Sequence, residues 1–231
     1  MEITSIKYIN MEKDHEKRFL LEKVLSRYTY SIQRISGVAY SQNPDSYKNY
    51  TLNGLASYVA SDSLKRQNGV IGCWIAHVQA LESTVETEGY TVVVEDDFVC
   101  KDSFFEKALA MLNNSSIDLD VAIFDPKGEG PLSCHLIQNG IYNSQGDSFP
   151  LYAGSHCVFY KNSRIQALLK IINSSEIRDY DGYLLCNQNI KTYLFYTGLS
   201  RTIYFYSDIE DFQIENSLWR GVQDWINYTQ N

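Results

Sequence analysis

The residues with the most chemical potential are three consecutive acids, Glu95, Asp96 and Asp97, which follow directly on the valine run Val92 to Val94. Three adjacent carboxylates repel one another and resist desolvation, so burying them calls for a cation or for hydrogen-bond donors. Oxygen ligands of this kind favour magnesium or manganese over zinc, and such ions keep coordination positions open for substrate phosphates. The chemistry that fits is a metal-bridged nucleoside diphosphate. The plain alternative is a surface turn with three solvated acids. Against it stand the apolar flanks, valines before and Phe98 and Val99 after. If strand geometry continues through the acids, Glu95 and Asp97 point to one side, roughly 6 to 7 Å apart between Cα atoms, and Asp96 points to the other.

These acids need a scaffold, and the surrounding pattern supplies one. Tyr90 to Val94 is apolar on both faces, as expected of a central strand covered by helices. Ligands of open α/β sheets bind where such strands end. Upstream, Ile71, Trp74, Ile75, Val78, Leu81 and Val85 share one arc and predict a helix from Gly72 to near Gly89. His77 lies on its flank, about 100° from the centre of the arc, where it can reach a polar crevice or serve as a structural histidine. Thr4 to Asn10 reads as a strand, followed by Asp14 as N-cap of a helix with Leu20, Leu21, Val24 and Leu25 inward. Residues 40–68 show no firm period and read as mostly irregular.

Val121 to Phe124 and Cys157 to Tyr160 read as strands, and Ser163 as the cap of a helix carrying Ile165, Leu168, Leu169 and Ile172. Loops are expected around Gly128, Gly130 and Pro131 and from Gly140 to Pro150. Tyr193 to Tyr196 and Ile203 to Tyr206 are further strand candidates, followed by an acidic and aromatic stretch with Trp219 and Trp225. Strand and helix alternate through the middle of the chain. The expectation is an α/β sandwich with a mostly parallel central sheet flanked by helices, in one domain spanning residues 1–231.

Composition removes several classes of function. A net charge of −8 without a Lys/Arg cluster argues against a general nucleic-acid binder. No stretch approaches the roughly 20 apolar residues of a membrane helix, and the N-terminus lacks a basic-then-apolar leader, so a soluble, cytoplasmic protein is expected. The five cysteines, at 73, 100, 134, 157 and 186, are scattered and odd in number, which suits reduced core thiols rather than disulfides or a zinc knuckle. His156 precedes an apolar strand and reads as structural.

Three blocks in order, KYINMEKDHEKR, NGVIGCWIAH and VVVEDDF, resemble glycosyltransferase family 25, which includes lipopolysaccharide and collagen galactosyltransferases. The family's INL segment and following arginine are matched by Ile9, Asn10, Met11 and Arg18. Its GC-x-x-SH block is matched by Gly72, Cys73 and His77, with Ala76 in place of the serine. The EDD motif is intact. A weaker fourth block, GSHCVFY followed by DYDGYLL, resembles the family's late strand and acidic segment, so the likeness runs over about residues 4 to 185. Where the family has Asp-Gly after the first unit, this chain has Ser36-Gly37.

The resemblance implies a GT-A type (Rossmann-like) fold, with a nucleotide-binding part at about 1–125 and an acceptor-side part at about 126–231. It further implies a nucleotide-sugar donor, UDP-linked with galactose as first expectation, a glycan acceptor, and inversion at the anomeric carbon. On this reading Asp97 holds a manganese or magnesium ion, with Glu95 as a second metal contact. Glu95 or Asp96 contacts the nucleotide or orients ligands, and Asn10, Arg18 and His77 help to hold the donor. Asp181 is the expected base for the acceptor hydroxyl, with Asp179 second. No histidine follows His156, so water or another acid must complete the metal shell. Two rivals remain: a noncatalytic module that keeps the sugar-nucleotide pocket, and a phosphohydrolase, for which neither a DxDx(T/V) motif nor a histidine-rich pattern is present.

Overall fold

The computed structural model describes residues 1–126, 134–138, 140–144, 154–203 and 228 of the 231-residue chain. In chain order the elements are β1 (Ile3–Asn10), α1 (His15–Leu25), β2 (Ile32–Ser36), α2 (Ser57–Ala60), α3 (Leu64–Glu82), β3 (Tyr90–Glu95), β4 (Phe98–Cys100) and α4 (Phe104–Asn114). They continue with β5 (Val121–Phe124), β6 (Cys134–Gln138), β7 (Ile141–Ser144), β8 (Cys157–Lys161), α5 (Ile165–Asn173), α6 (Tyr180–Cys186), β9 (Thr192–Phe195) and β10 (Ser200–Thr202).

Eight strands form one sheet in the order β2-β1-β3-β8-β5-β9-β7-β6, and β4 pairs with β10 apart from it. β2, β1 and β3 are mutually parallel, as are β5 and β9, whereas β8 runs antiparallel to both β3 and β5 and β7 antiparallel to β9 and β6. Most strands therefore share one direction, as the alternation of strand and helix predicts, with β8 and β7 reversed. Helices cover both faces. The period of two along β3 sends Val93 into a core built with α3, α5 and α6, and Tyr90, Val92 and Val94 into a second core built with α1 and α4.

Several local expectations need correction. The stretch at 40–68, expected to be mostly irregular, holds more structure than that: 3-10 turns at Tyr40–Gln42 and Pro44–Tyr50, the short α2, and the start of α3. α3 begins eight residues before Gly72 because Ser63 caps it, accepting a hydrogen bond from the Arg66 amide. It ends at Glu82, so Val85, placed on the apolar arc by periodicity, is exposed. Asp14 and Ser163 make no side-chain cap: Asp14 precedes α1 without a capping bond, and Ser163 lies within a 3-10 turn leading into α5. Part of the Gly140–Pro150 loop is strand β7. The expected loop at Gly128 to Pro131, the strand beyond Ile203 and the Trp219 and Trp225 stretch lie outside the described residues.

Two contacts fix α3 on the sheet. Lys7 of β1 is buried and donates to the Ala80 carbonyl at 2.8 Å, Ser83 Oγ at 2.7 Å and Thr84 Oγ1 at 2.8 Å. A cation there meets the negative end of the helix dipole, although burial lowers its pKa to about 8. At the other contact, Gly72 lets α3 approach the chain after β2 so closely that a Cβ would run into the Val38 carbonyl oxygen. Gly72→Ala is expected to lose on the order of 2 kcal/mol in urea unfolding, overpacking outweighing the roughly 1 kcal/mol of helix propensity gained. A variant as stable as the parent would show that the approach can relax.

Candidate functional site

The EDD triplet stands where β3 ends. Glu95 is the last strand residue, and Asp96 and Asp97 form the turn into β4, so the continued strand geometry assumed from sequence does not hold beyond Glu95. Alternation still separates the first two acids. Glu95 follows Val93 onto the α3 and α6 side, and Asp96 turns to the α1 side. Each meets its own partners there.

On the α3 side, Glu95 Oε1 accepts from His77 Nε2 at 3.2 Å and from the Ser155 hydroxyl. Burial opposes its charge, but the His77 and Ser155 hydrogen bonds prevail and hold the carboxyl down at about 2. His77 is fully buried and stacks on Tyr180, with centroids 4.3 Å apart and planes 18° apart. Tyr180 is anchored in turn by a 3.1 Å hydroxyl contact with Tyr160. Cys73 is one helical turn from His77 on the same side of α3, and burial, followed by the charges of Glu95, Asp181 and Asp179, pushes its thiol well up.

On the α1 side, Asp96 accepts from Asn10 Nδ2 at 3.0 Å and from Lys17 Nζ at 3.3 Å. Burial raises the Asp96 pKa against the pull of Lys17 and Asn10. For Lys17 burial works against the charge, yet Asp96, Asp14 and Asp97 more than restore it and the pKa rises. Asp97 thus acts in the same field as Asp96; its backbone carbonyl accepts from Ile203 N at 2.8 Å and ties the turn to the chain after β10. Asn10 also donates to the Asp14 carbonyl at 3.1 Å, while its own Oδ1 is buried with no hydrogen-bond partner among the described residues.

Asp181, at the first turn of α6, accepts from Gly154 N at 2.6 Å and Gly182 N at 2.8 Å. Burial raises its pKa, opposed by those amides and assisted by the charges of Glu95 and Asp179. Asp179 is committed to an ion pair with Arg66 at 3.0 Å. Arg18 lies 3.9 Å from Glu12, which also pairs with Arg34 at 2.8 Å. His156 is buried beside Phe98. Sequence reasoning missed Lys17 and Ser155. Lys17 lies next to the motif arginine, and Ser155 within the GSHCVFY block, but neither carries a signal of its own.

The glycosyltransferase family 25 (LPS biosynthesis protein) profile matches residues 4–129, more than half of the chain. The chain belongs to this family. The match takes in β1 with Asn10, α3 with Cys73 and His77, and the acids at the end of β3. No curated protein matches this family 25 chain by sequence. Among solved structures it is similar to a glycosyltransferase involved in glycosylation of the major capsid of PBCV-1, at 12% identity and TM-score 0.39 over 74% of this chain and 66% of the other. It is also similar to the apo form of the glycosyltransferase GlyE of Streptococcus pneumoniae TIGR4, at 9% identity and TM-score 0.39 over 83% of this chain and 45% of that one. A third is the 4-diphosphocytidyl-2C-methyl-D-erythritol synthase of Anaerococcus prevotii DSM 20548, at 11% identity and TM-score 0.43 over 96% and 78% of the two chains. The family 25 chain therefore spans less than two thirds of the length of the first two. Among the described residues, no helix is long and apolar enough to cross a membrane.

The Glu95 contacts give a titration test. A depressed carboxylate pKa contributes stability that is present above the ordinary value and lost as pH falls through the folded value, here between about 4.5 and about 2. His77→Gln removes the strongest opposing contact, so the Glu95 carboxyl should titrate at a higher pH by carbon-detected NMR, and acid unfolding should begin earlier. An unchanged titration would show that His77 does not hold the charge.

Proposed function

We propose that this chain is a metal-dependent, inverting glycosyltransferase that moves a sugar, with galactose as the first candidate, from a UDP-linked donor to a hydroxyl of a glycan acceptor. The observation that carries the reading is the strand end itself: a family 25 EDD triplet whose Glu95 and Asp96 are held by His77, Ser155, Asn10 and Lys17, beside the buried, unpartnered Asn10 Oδ1. An acceptor atom in that position fits an N–H or O–H of a nucleotide. The donor set is all oxygen at Asp97 and Glu95, which fits manganese or magnesium.

In this proposal Asp97 holds the ion and Glu95 is the second carboxylate of the metal shell. When bound, the ion would offset charge on the departing diphosphate. The protein does the rest. Asn10 Oδ1 accepts from the nucleotide, Lys17 keeps Asp96 ionised and in place, and His77 with Ser155 fixes the rotamer of Glu95. Asp181 takes the proton of the acceptor hydroxyl as the new glycosidic bond forms on the face opposite the leaving group. Its raised pKa suits that task, since a carboxylate nearer neutrality is a stronger base. Asp179, held by Arg66, is the weaker candidate, and Arg18 lends positive charge near the entrance of α1 rather than a direct contact with the acids.

Calorimetry with a UDP-sugar panel tests the donor and the ion together: manganese should strengthen binding, and chelator should abolish the gain. Asp97→Asn is expected to weaken metal-dependent binding by on the order of tenfold or more; parental binding of donor and metal would remove Asp97 from the role. Asp181→Asn should bind donor normally while turnover, or slow donor hydrolysis in the absence of acceptor, drops by roughly a hundredfold to ten-thousandfold. Undiminished turnover would reassign the base.

A further inference from the structure

We infer that Cys73, His77 and Glu95 form a binding site for a thiophilic divalent cation of the zinc type, adjoining the oxygen-lined site proposed around Asp97 and competing with it for Glu95. One ligand atom from each of the three residues lies within 4.8 Å of the other two, and this is the one such His/Cys/Asp/Glu group among the described residues. Cys73 and His77 are spaced i, i+4 on α3, which places both side chains on one stripe of the helix, and Glu95 reaches them from the end of β3.

The donor set decides the class of ion. A thiol sulfur, an imidazole nitrogen and a carboxylate oxygen are ligands for zinc and its cobalt(II) analogue, whereas manganese and magnesium prefer oxygen alone. Three protein ligands with an open fourth position is the arrangement of zinc sites that also bind a water or a substrate group. Ligand atoms around a tetrahedral zinc sit roughly 3.5 Å apart. The separation of 3.2 Å between His77 Nε2 and Glu95 Oε1 already meets that spacing, and the ligand atom of Cys73 lies within 4.8 Å of those of its two partners, a gap that a cysteine rotamer change can narrow.

Carboxylate oxygens only accept, so His77 Nε2 carries the hydrogen shared with Glu95 Oε1. The Nδ1 lone pair is then buried with no hydrogen-bond partner among the described residues. Buried imidazoles are ordinarily satisfied on both nitrogens. Stacking on Tyr180 holds the ring in place, and Asp181 adds negative charge to the surroundings. Cys73 and Glu95 are partly exposed, so an ion has access. On binding, the Cys73 thiol proton is released to solvent and the imidazole changes tautomer, Nε2 losing its hydrogen and Nδ1 taking one up, so that thiolate, Nε2 and carboxylate form the shell. Because Glu95 would be withdrawn into this shell, occupancy by a zinc-type ion should inhibit any chemistry that uses Glu95 in the neighbouring site.

Cobalt(II) titrated into the full chain, freed of metal by chelator and exchanged into clean buffer, provides the test. The expected result is a thiolate-to-cobalt charge-transfer band in the near ultraviolet, bleached by stoichiometric zinc. The band should be lost in Cys73→Ser and retained in Cys186→Ser and in Asp97→Asn. Absence of the band in the parent chain, or its survival in Cys73→Ser, overturns the inference. The readout needs no nucleotide and no turnover, so its failure is distinct from failure of the transferase reading.

Discussion

The structure depends on how it accommodates charge repulsion at the end of one buried strand. β3 lies between β1 and β8 with no exposed residue from Tyr90 to Val94, and it then presents three acids in a row. The pleat divides the first two between opposite faces of the sheet, where each finds donors that the strand itself cannot offer. Glu95 takes a histidine and a serine from α3 and from the segment before β8. Asp96 takes an asparagine and a lysine from β1 and α1. Neighbouring carboxylates that would be costly together become tolerable once each has its own partners and the sheet stands between them.

This division explains why the family's motif blocks are far apart in sequence and close in space. β1 brings Asn10 beside Asp96 because it pairs in parallel register with β3, Ile9 opposite Glu95. α3 brings His77 beside Glu95 because Gly72 allows the helix to seat against the Val38 backbone. The glycine of the second block is thus a packing device, and the histidine seven-tenths of a heptad further on is the polar consequence of that packing. Two strands along the sheet from β3, Asp125 at the end of β5 plays a comparable organising role. It adopts a left-handed backbone conformation (φ 45°) and accepts hydrogen bonds from Thr197, Gly198 and Ser200, pinning the turn between β9 and β10.

Much of this was legible in the sequence, and the limits are physical. β1, β3, β5, β8 and β9 were readable because buried strands in such a sheet are apolar on both faces, and α1 and α5 because their inward residues repeat at helical spacing. β2 was not, since an edge strand reading Ile32-Gln33-Arg34-Ile35-Ser36 is mostly exposed and carries a weak pattern. The start of α3 was hidden because its first turns, Leu64 to Gly69, are solvated and polar, so only Ser63 marks them. The acids were legible as a site by type and position, but their partition was not: a turn at Asp96 and Asp97 replaces the extended geometry, and Lys17 and Ser155 are common residue types whose importance comes only from tertiary proximity.

Lys7 links two of these parts in a way that bears on how the site can move. The strand that ends in Asn10 also drives an ammonium into the last turn of α3, about two helical turns beyond Cys73 and one beyond His77. Strand and helix are consequently cross-braced, and the spacing between the asparagine and the cysteine–histidine stripe behaves as a rigid gauge. Any change in the dimensions of the site must then be absorbed by the segments that carry Ser155 and Asp181, which lie outside this brace.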